Sequence, residues 1–376
     1  MGTVIRVPND ILTPVIPRQS VHEDGLVPAV EGTLADFLAS QIAQLDAVDP
    51  ALGGFARTTR DLVLRQGKRL RPTFAYWGWR GFAGPREPVG PILPAIAALE
   101  MMHAFALVHD DVMDASATRR GAPTAHRLLA AQHIADGRRG DPERFGDAAA
   151  ILVGDLCLVW ADQLLAHATL PTSTLFAARA RYDRMRAEAV AGQYLDMLGE
   201  HQPEAWTVDR ALLVARNKTA SYTVQRPLQF GLALAGTDSA VEDAYDRYGT
   251  AIGEAFQLCD DLLGVYGDPA VTGKPAGDDL RTGKPTALLM LARQLATPAQ
   301  LAELTLDPAG VVNPADGSSP LRIAQVISDT GAPDRIRGLI RQRVDEGVAA
   351  LSDAPLHDDA RAALVDLAVT ATHRAA

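Results

Sequence analysis

Two short acidic runs carry the chemistry of this 376-residue chain. The first, Leu107-Val108-His109-Asp110-Asp111-Val112-Met113-Asp114, closes a long apolar stretch. Asp110 and Asp114 are four residues apart and share one face of a helix. His103, Leu107, Asp110 and Asp114 extend that face into a single stripe. Carboxylates one turn apart repel each other, and a helix C-terminus disfavours negative charge further. A divalent cation would offset that cost. A solvated helix end is the plain alternative for one such motif, but the apolar run before it makes these carboxylates the cap of a buried helix. The second run is Phe256-Gln257-Leu258-Cys259-Asp260-Asp261-Leu262-Leu263-Gly264, where Gln257, Asp260 and Asp261 again neighbour one another on one face. Two apolar helices that each end in paired Asp predict facing carboxylates. Magnesium suits them, because it takes oxygen ligands and is held by one or two carboxylates plus substrate phosphates.

Matching cations stand at the breaks between helices. Gln66-Gly67-Lys68-Arg69-Leu70-Arg71-Pro72 is the first cluster. Pro72 biases Arg71 away from helix, so this segment is expected to turn between two helices and bring Lys68 and Arg71 together. Arg119-Arg120-Gly121 follows the first acidic run, Lys218-Thr219 sits on a middle helix, and Lys274 and Lys284 lie in or beside the long segment after the second. Singly, each reads as a solvated surface charge. Jointly, two Asp pairs, several cation sites and apolar helices beneath them predict a metal-bridged diphosphate, with Arg as a planar fork and Lys as a point charge.

The elements that must hold these groups are helices. From Gly32 onward the apolar residues recur at spacings of three and four, beginning with Leu34, Phe37, Leu38, Ile42 and Leu45. Similar stripes cover 58–68, 73–82, 91–114, 147–168, 174–199, 208–235, 239–264, 284–296, 320–328, 333–352 and 357–373. No alternating β-branched run and no fixed-period repeat is seen. The expectation is an all-α, single-domain bundle of ten or more helices over 31–376. Residues 1–30, with Pro8, Pro14, Pro17 and Pro28, are expected to form an irregular N-terminal extension. The segment 264–285 is long for a connection, and long loops are often functional.

Composition excludes other classes. With 36 Lys and Arg against 46 Asp and Glu, the net charge is −10, which argues against nucleic acid as a partner. Two distant cysteines, Cys157 and Cys259, make no disulfide framework and point to a reducing cytoplasm. The longest apolar run is interrupted by Glu100 and His103, so no membrane span is expected. The N-terminus lacks the pattern of a secretory signal.

In order, GKRLRP, HDDVMD followed by RRG, KT, FQLCDD and GDP-x-x-TGKPAGDDLRTGK resemble the trans-isoprenyl diphosphate synthase family over about residues 32–376. The resemblance implies that Asp110 and Asp114, with Asp111 beside them, hold magnesium and that Asp260 holds more. It implies that Arg119, Lys218, Gln257 and Lys274 contact an allylic diphosphate, with Thr219 beside them. Lys68, Arg71, His103 and Arg120 would hold isopentenyl diphosphate, and Lys284 would neutralise diphosphate from a closing loop. The family fold is an all-α bundle, usually a homodimer. Two departures stand out: Gly264 replaces a third Asp, and Pro285 replaces a second basic residue.

The expected reaction ionises the allylic C1–O bond in a dry pocket, adds isopentenyl diphosphate to the cation and releases a proton. Product length would follow the depth below Asp110. Ala106, one turn below, leaves the floor open, while Phe105 lies about 100° further round. That pair resembles the geranylgeranyl (C20) type, with farnesyl (C15) the near alternative and plain core packing an equal account of Phe105. Three rivals remain. A class I terpene cyclase would not need Lys68, Arg71 and His103. A helical metal-dependent phosphohydrolase would use His109-Asp110 but needs more His. A non-catalytic modulatory subunit would explain Gly264 and Pro285.

Overall fold

The computed structural model describes residues 25–65, 67–202, 206–267, 280, 284–304 and 320–372. Lys274 and most of the long connection after the second acidic run lie outside the described residues, as do residues 1–24. The fold is all-α. Among the described residues, β structure is confined to a hairpin in which Thr118–Arg119 pairs antiparallel with Ala122–Pro123.

The helices in order are α1 Leu26–Asp46, α2 Pro50–Leu64, α3 Leu70–Ala83, α4 Leu93–Met113, α5 Ala125–Ala135, α6 Pro142–Ala166 and α7 Thr172–His201. There follow α8 Val208–Ala215, a π-helical segment Arg216–Gln225, α9 Arg226–Ala235 and α10 Ser239–Tyr266. The chain closes with α11 Ala287–Leu295, α12 Pro298–Glu303, α13 Pro320–Asp329, α14 Ala332–Leu351 and α15 Asp358–Thr372. Side-chain caps set several starts. Asp49 accepts from Ala51 N (2.7 Å), Asp141 from Glu143 N (2.9 Å), and Asp238 from Ala240 N (2.9 Å). Each satisfies a backbone donor that the first helical turn leaves over.

α4 is the central helix. Every residue from Ala95 to Met102 is buried, so it is wrapped on all sides rather than lying on a surface. It packs on α6 above all, and also on α1 and α3. One large apolar cluster surrounds it. A smaller one joins α8, the end of α10, α11, α13 and the start of α14.

Several expectations change. Helix begins at Leu26, inside the segment expected to be irregular; Pro28 falls in the first turn, where a missing N–H costs nothing. Arg71 is helical, because α3 starts at Leu70 and Pro72 again occupies the first turn. The turn between α2 and α3 is made instead by Arg69, which adopts the left-handed region (φ 48°). α5 was hidden from the apolar pattern because its buried face includes His126 and His133. Two helices, Gly90–Met113 and Pro142–Ala166, are long and apolar enough to cross a bilayer (mean hydropathy 1.7 each), but more than half of the first is buried within the protein. Such helices serve equally as core.

Candidate active site

The first acidic run ends α4, and the 118–123 hairpin folds back over it. Arg119 Nε donates to Asp111 Oδ1 (2.7 Å) and Nη2 donates to Asp110 Oδ2 (3.1 Å). From the opposite side, Lys218 Nζ donates to Asp110 Oδ1 (2.8 Å) and to Asp196 Oδ2 (2.5 Å). Lys284 Nζ lies 2.8 Å from the same Asp196 oxygen. The sequence-predicted Asp110, Asp111, Arg119, Lys218 and Lys284 therefore form one cluster, linked by a buried carboxylate, Asp196, that sequence reasoning missed. It stands on the inner face of α7, four residues after Gly192, and no local sequence pattern marks it.

Gly192 explains how the lysine reaches this acid. A Cβ there would overlap the backbone nitrogen of Lys218, so only glycine lets α7 and the π-helical segment approach so closely. On the other side Gly253 of α10 plays the same part against Ala220.

Burial works to raise the Asp110 carboxyl, but the charges of Lys218, Lys284 and Arg119 prevail and hold it well below the usual carboxylate range. Asp114 goes the other way: burial and the charge of Asp110 raise it, and the two lysines only partly oppose them. The site's own cations thus leave a carboxylate under strain at Asp114, a cost that a divalent cation would relieve. Among the described residues no three Asp, Glu, His or Cys side chains group closely enough to hold an ion by themselves. That donor set fits magnesium, which completes its shell with water and phosphate oxygens.

The second acidic run splits in function. Asp261 is buried and structural: Oδ2 accepts from Ala287 N (3.1 Å) at the start of α11, and Oδ1 accepts from Gln257 Nε2 (3.0 Å). Asp260 is half-buried one residue earlier. A cavity of about 70 Å³ is lined by Asp196, Lys218, Thr219, Gln257, Asp261 and Lys284, with room for a few water-sized groups but not for an isoprenoid tail. Pro285 is buried in its wall, against Gly199 and Trp206, and braces the segment that carries Lys284.

A second cationic group gathers around His103, two turns below Asp110 on α4. Arg71 is buried; its Nη2 donates to Thr223 Oγ1 (2.8 Å), and its Nε has no partner. His103 is held well below its ordinary value by burial and by Arg71, Arg120, Arg119 and Arg69, so it is neutral. Arg120 leans on Gly67, where any side chain would run into its guanidinium. Lys68 is exposed on the same connection. Three non-glycine residues among those described adopt positive φ, namely Arg69 (48°), Ala115 (50°) and Arg120 (52°). Arg69 and Arg120 stand near His103, and Ala115 directly follows the C-cap of α4; strain of this kind is held by the surrounding contacts.

His109 turns away from Asp110. Its Nε2 lies 3.0 Å from the Ile151 carbonyl, and it packs on Gly154 of α6, so the dipeptide does not form a metal pair of the phosphohydrolase kind. Phe105 shares that face, edge-on to His109 at 4.9 Å, while Ala106 stays half-buried on the side of His103 and Asp110.

Residues 54–307 match the polyprenyl synthetase family. The chain belongs to that family. The geranylgeranyl diphosphate synthase of Mycobacterium tuberculosis is 34% identical over 290 residues, covering 77% of this chain and 75% of that one. The geranylfarnesyl diphosphate synthase of Aeropyrum pernix is 33% identical over 312 residues, covering 81% and 89%. Among solved structures, the geranylgeranyl pyrophosphate synthase of Corynebacterium glutamicum, complexed with isoprenyl diphosphate and magnesium, superposes with a TM-score of 0.87 at 40% identity, covering 93% of this chain and 99% of that one. This polyprenyl synthetase is accordingly an enzyme, a prenyltransferase of the short-chain isoprenyl diphosphate synthase type.

Proposed function

We propose that this synthase condenses isopentenyl diphosphate with an allylic diphosphate to make geranylgeranyl diphosphate, C20. One observation carries the reading: Arg119 and Lys218 converge on the carboxylates that end the apolar helix α4, and Lys218 and Lys284 converge on Asp196 of α7 beside them. In this arrangement Asp110 and Asp114 would hold magnesium and Asp260 a further ion, which would supply positive charge to the leaving diphosphate. Lys218, Lys284 and Arg119 then bind diphosphate oxygens as charge develops on them. Gln257 and Thr219 line the same cavity and orient the group, and Lys274 joins them in the resemblance. Asp196 sets the positions of both lysines. Arg71, His103, Arg120 and Lys68 hold isopentenyl diphosphate, and the unpartnered Arg71 Nε is a buried donor awaiting an anion. The apolar face below Asp110 keeps water from the allylic cation. Ala106 opens the way down, with Phe105 beside it.

The working unit is a second copy bound to the first. On α7 the residues Phe176, Ala180, Ala187, Val190, Tyr194 and Met197 form one exposed stripe at helical spacing, broken by Asp183 and its ion-pair partner Arg179. Phe176 is 79% exposed and Tyr194 62%. An apolar stripe of this length on an outer helix suits a self-complementary interface. The two buried thiols, Cys157 and Cys259, suit a reducing cytoplasm.

The test is a product assay with magnesium, isopentenyl diphosphate and C5, C10 or C15 allylic diphosphates, followed by mass spectrometry of the dephosphorylated products. A C20 alcohol is expected. A C15 or longer product would keep the synthase and remove the reading of Phe105 and Ala106. No product from any of these primers would overturn the proposed C20 condensation.

A further inference from the structure

Tyr222 is buried on the π-helical segment and takes no part in the reaction as set out above. It touches two of the four residues placed at the isopentenyl diphosphate site. The Arg71 guanidinium lies over its ring, 4.2 Å from the centroid. Its hydroxyl is 3.3 Å from His103 Nδ1, with the two rings tilted at 45°. The next residue, Thr223, accepts a hydrogen bond from Arg71 Nη2 at its Oγ1. Stacking fixes the plane of the guanidinium and leaves its edge open. A neutral histidine has one donor nitrogen and one acceptor, and the partner of one nitrogen decides which is which.

We propose that Tyr222 is a positioning residue for isopentenyl diphosphate: its ring holds Arg71 flat, and its hydroxyl donates to His103 Nδ1. His103 is thereby fixed as the Nε2–H tautomer, and Nε2 is left to donate to the diphosphate. Burial and the surrounding arginines keep the ring neutral, so tautomer choice and not protonation is what the tyrosine controls. This inference rests on the assignment of Arg71 and His103 to that substrate, and the experiment separates the two.

Steady-state kinetics would be measured for Tyr222→Phe, Tyr222→Leu and Arg71→Gln with both substrates varied. Nitrogen-15 spectra of labelled histidine would report the tautomer. Tyr222→Phe keeps the stack and loses the hydroxyl. It should raise KM for isopentenyl diphosphate by about three- to tenfold, the loss of one oriented hydrogen bond, with kcat and the allylic KM within about twofold. His103 should change from a single Nε2–H tautomer to a mixture. Tyr222→Leu should cost more, because the stack is lost too. If Arg71→Gln raises that KM while both tyrosine variants leave it and the spectrum unchanged, the positioning role is wrong and the site stands. Equal rises in both KM values for Tyr222→Phe with an unchanged tautomer would make Tyr222 ordinary packing and overturn the proposal. An unchanged KM in Arg71→Gln would remove the substrate assignment and the proposal with it.

Discussion

Asp196 shows what a single side chain decides here. It accepts from two lysines brought from distant parts of the chain, Lys218 and Lys284. Asp196→Asn keeps the shape but removes the charge that gathers them, and a misplacement of this kind costs about 10²-fold in rate. We expect kcat to fall by that order with helical circular dichroism unchanged; activity within twofold of wild type would show that the lysines hold their places without it. The same acid contributes to stability in a predictable window. Burial pushes its carboxyl up, but the charges and hydrogen bonds of Lys284 and Lys218 outweigh that and set it below the ordinary 3.8. A carboxyl depressed in the folded state stabilises above its unfolded value and loses that contribution as pH falls through the folded one. Urea midpoints should therefore drop on acidification below about pH 4, and the Asn variant should lack that part of the slope. Asp196 was illegible in the sequence because its partners lie far along the chain and nothing local distinguishes it from any other helix acid. Asp110 and Asp114 were legible because like charges clustered on an apolar helix are costly without a counter-ion, whereas Lys218 singly read as a solvated surface charge and was picked out only with the other cations and by the resemblance. Tyr222 was not, since an aromatic in a helical stripe reads as core.

At the scale of elements, the apolar periodicity located most of the helices, yet it ran α8, the π-helical segment and α9 together as one stripe over 208–235. A π-turn closes i to i+5 bonds and brings the fifth residue along back to the same side. In an α-helix, Thr223 would stand about 140° round from Lys218. Here Lys218 reaches Asp110, Tyr222 reaches His103 and Thr223 reaches Arg71, all toward the cleft. Hydrophobic pattern carries no record of such a change in winding, because the buried residues 220–224 look the same to it. Gly192 is the point where α7 accommodates this segment. Gly192→Ala should push Lys218 outward and lower kcat about tenfold or more, with little change in circular dichroism. Unchanged kinetics would mean that the segment has slack.

For the whole molecule, the outer stripe on α7 predicts association. Light scattering should give a dimer for the wild type and a monomer for Val190→Glu, since a charge at the centre of the stripe would be buried unpaired. A monomeric wild type would refute the second copy. Differential scanning should also show that magnesium with inorganic diphosphate raises Tm by several degrees while either alone changes it little, because ligands that bind only the folded state stabilise by mass action. The resting cluster accounts for that asymmetry. Diphosphate arriving alone finds Lys218 and Lys284 already engaged by Asp110 and Asp196, and a metal arriving alone finds those acids already engaged by the lysines. Only the two arriving together can exchange partners with both halves at once. Such a cluster would behave as a coincidence detector, silent until metal and substrate coincide.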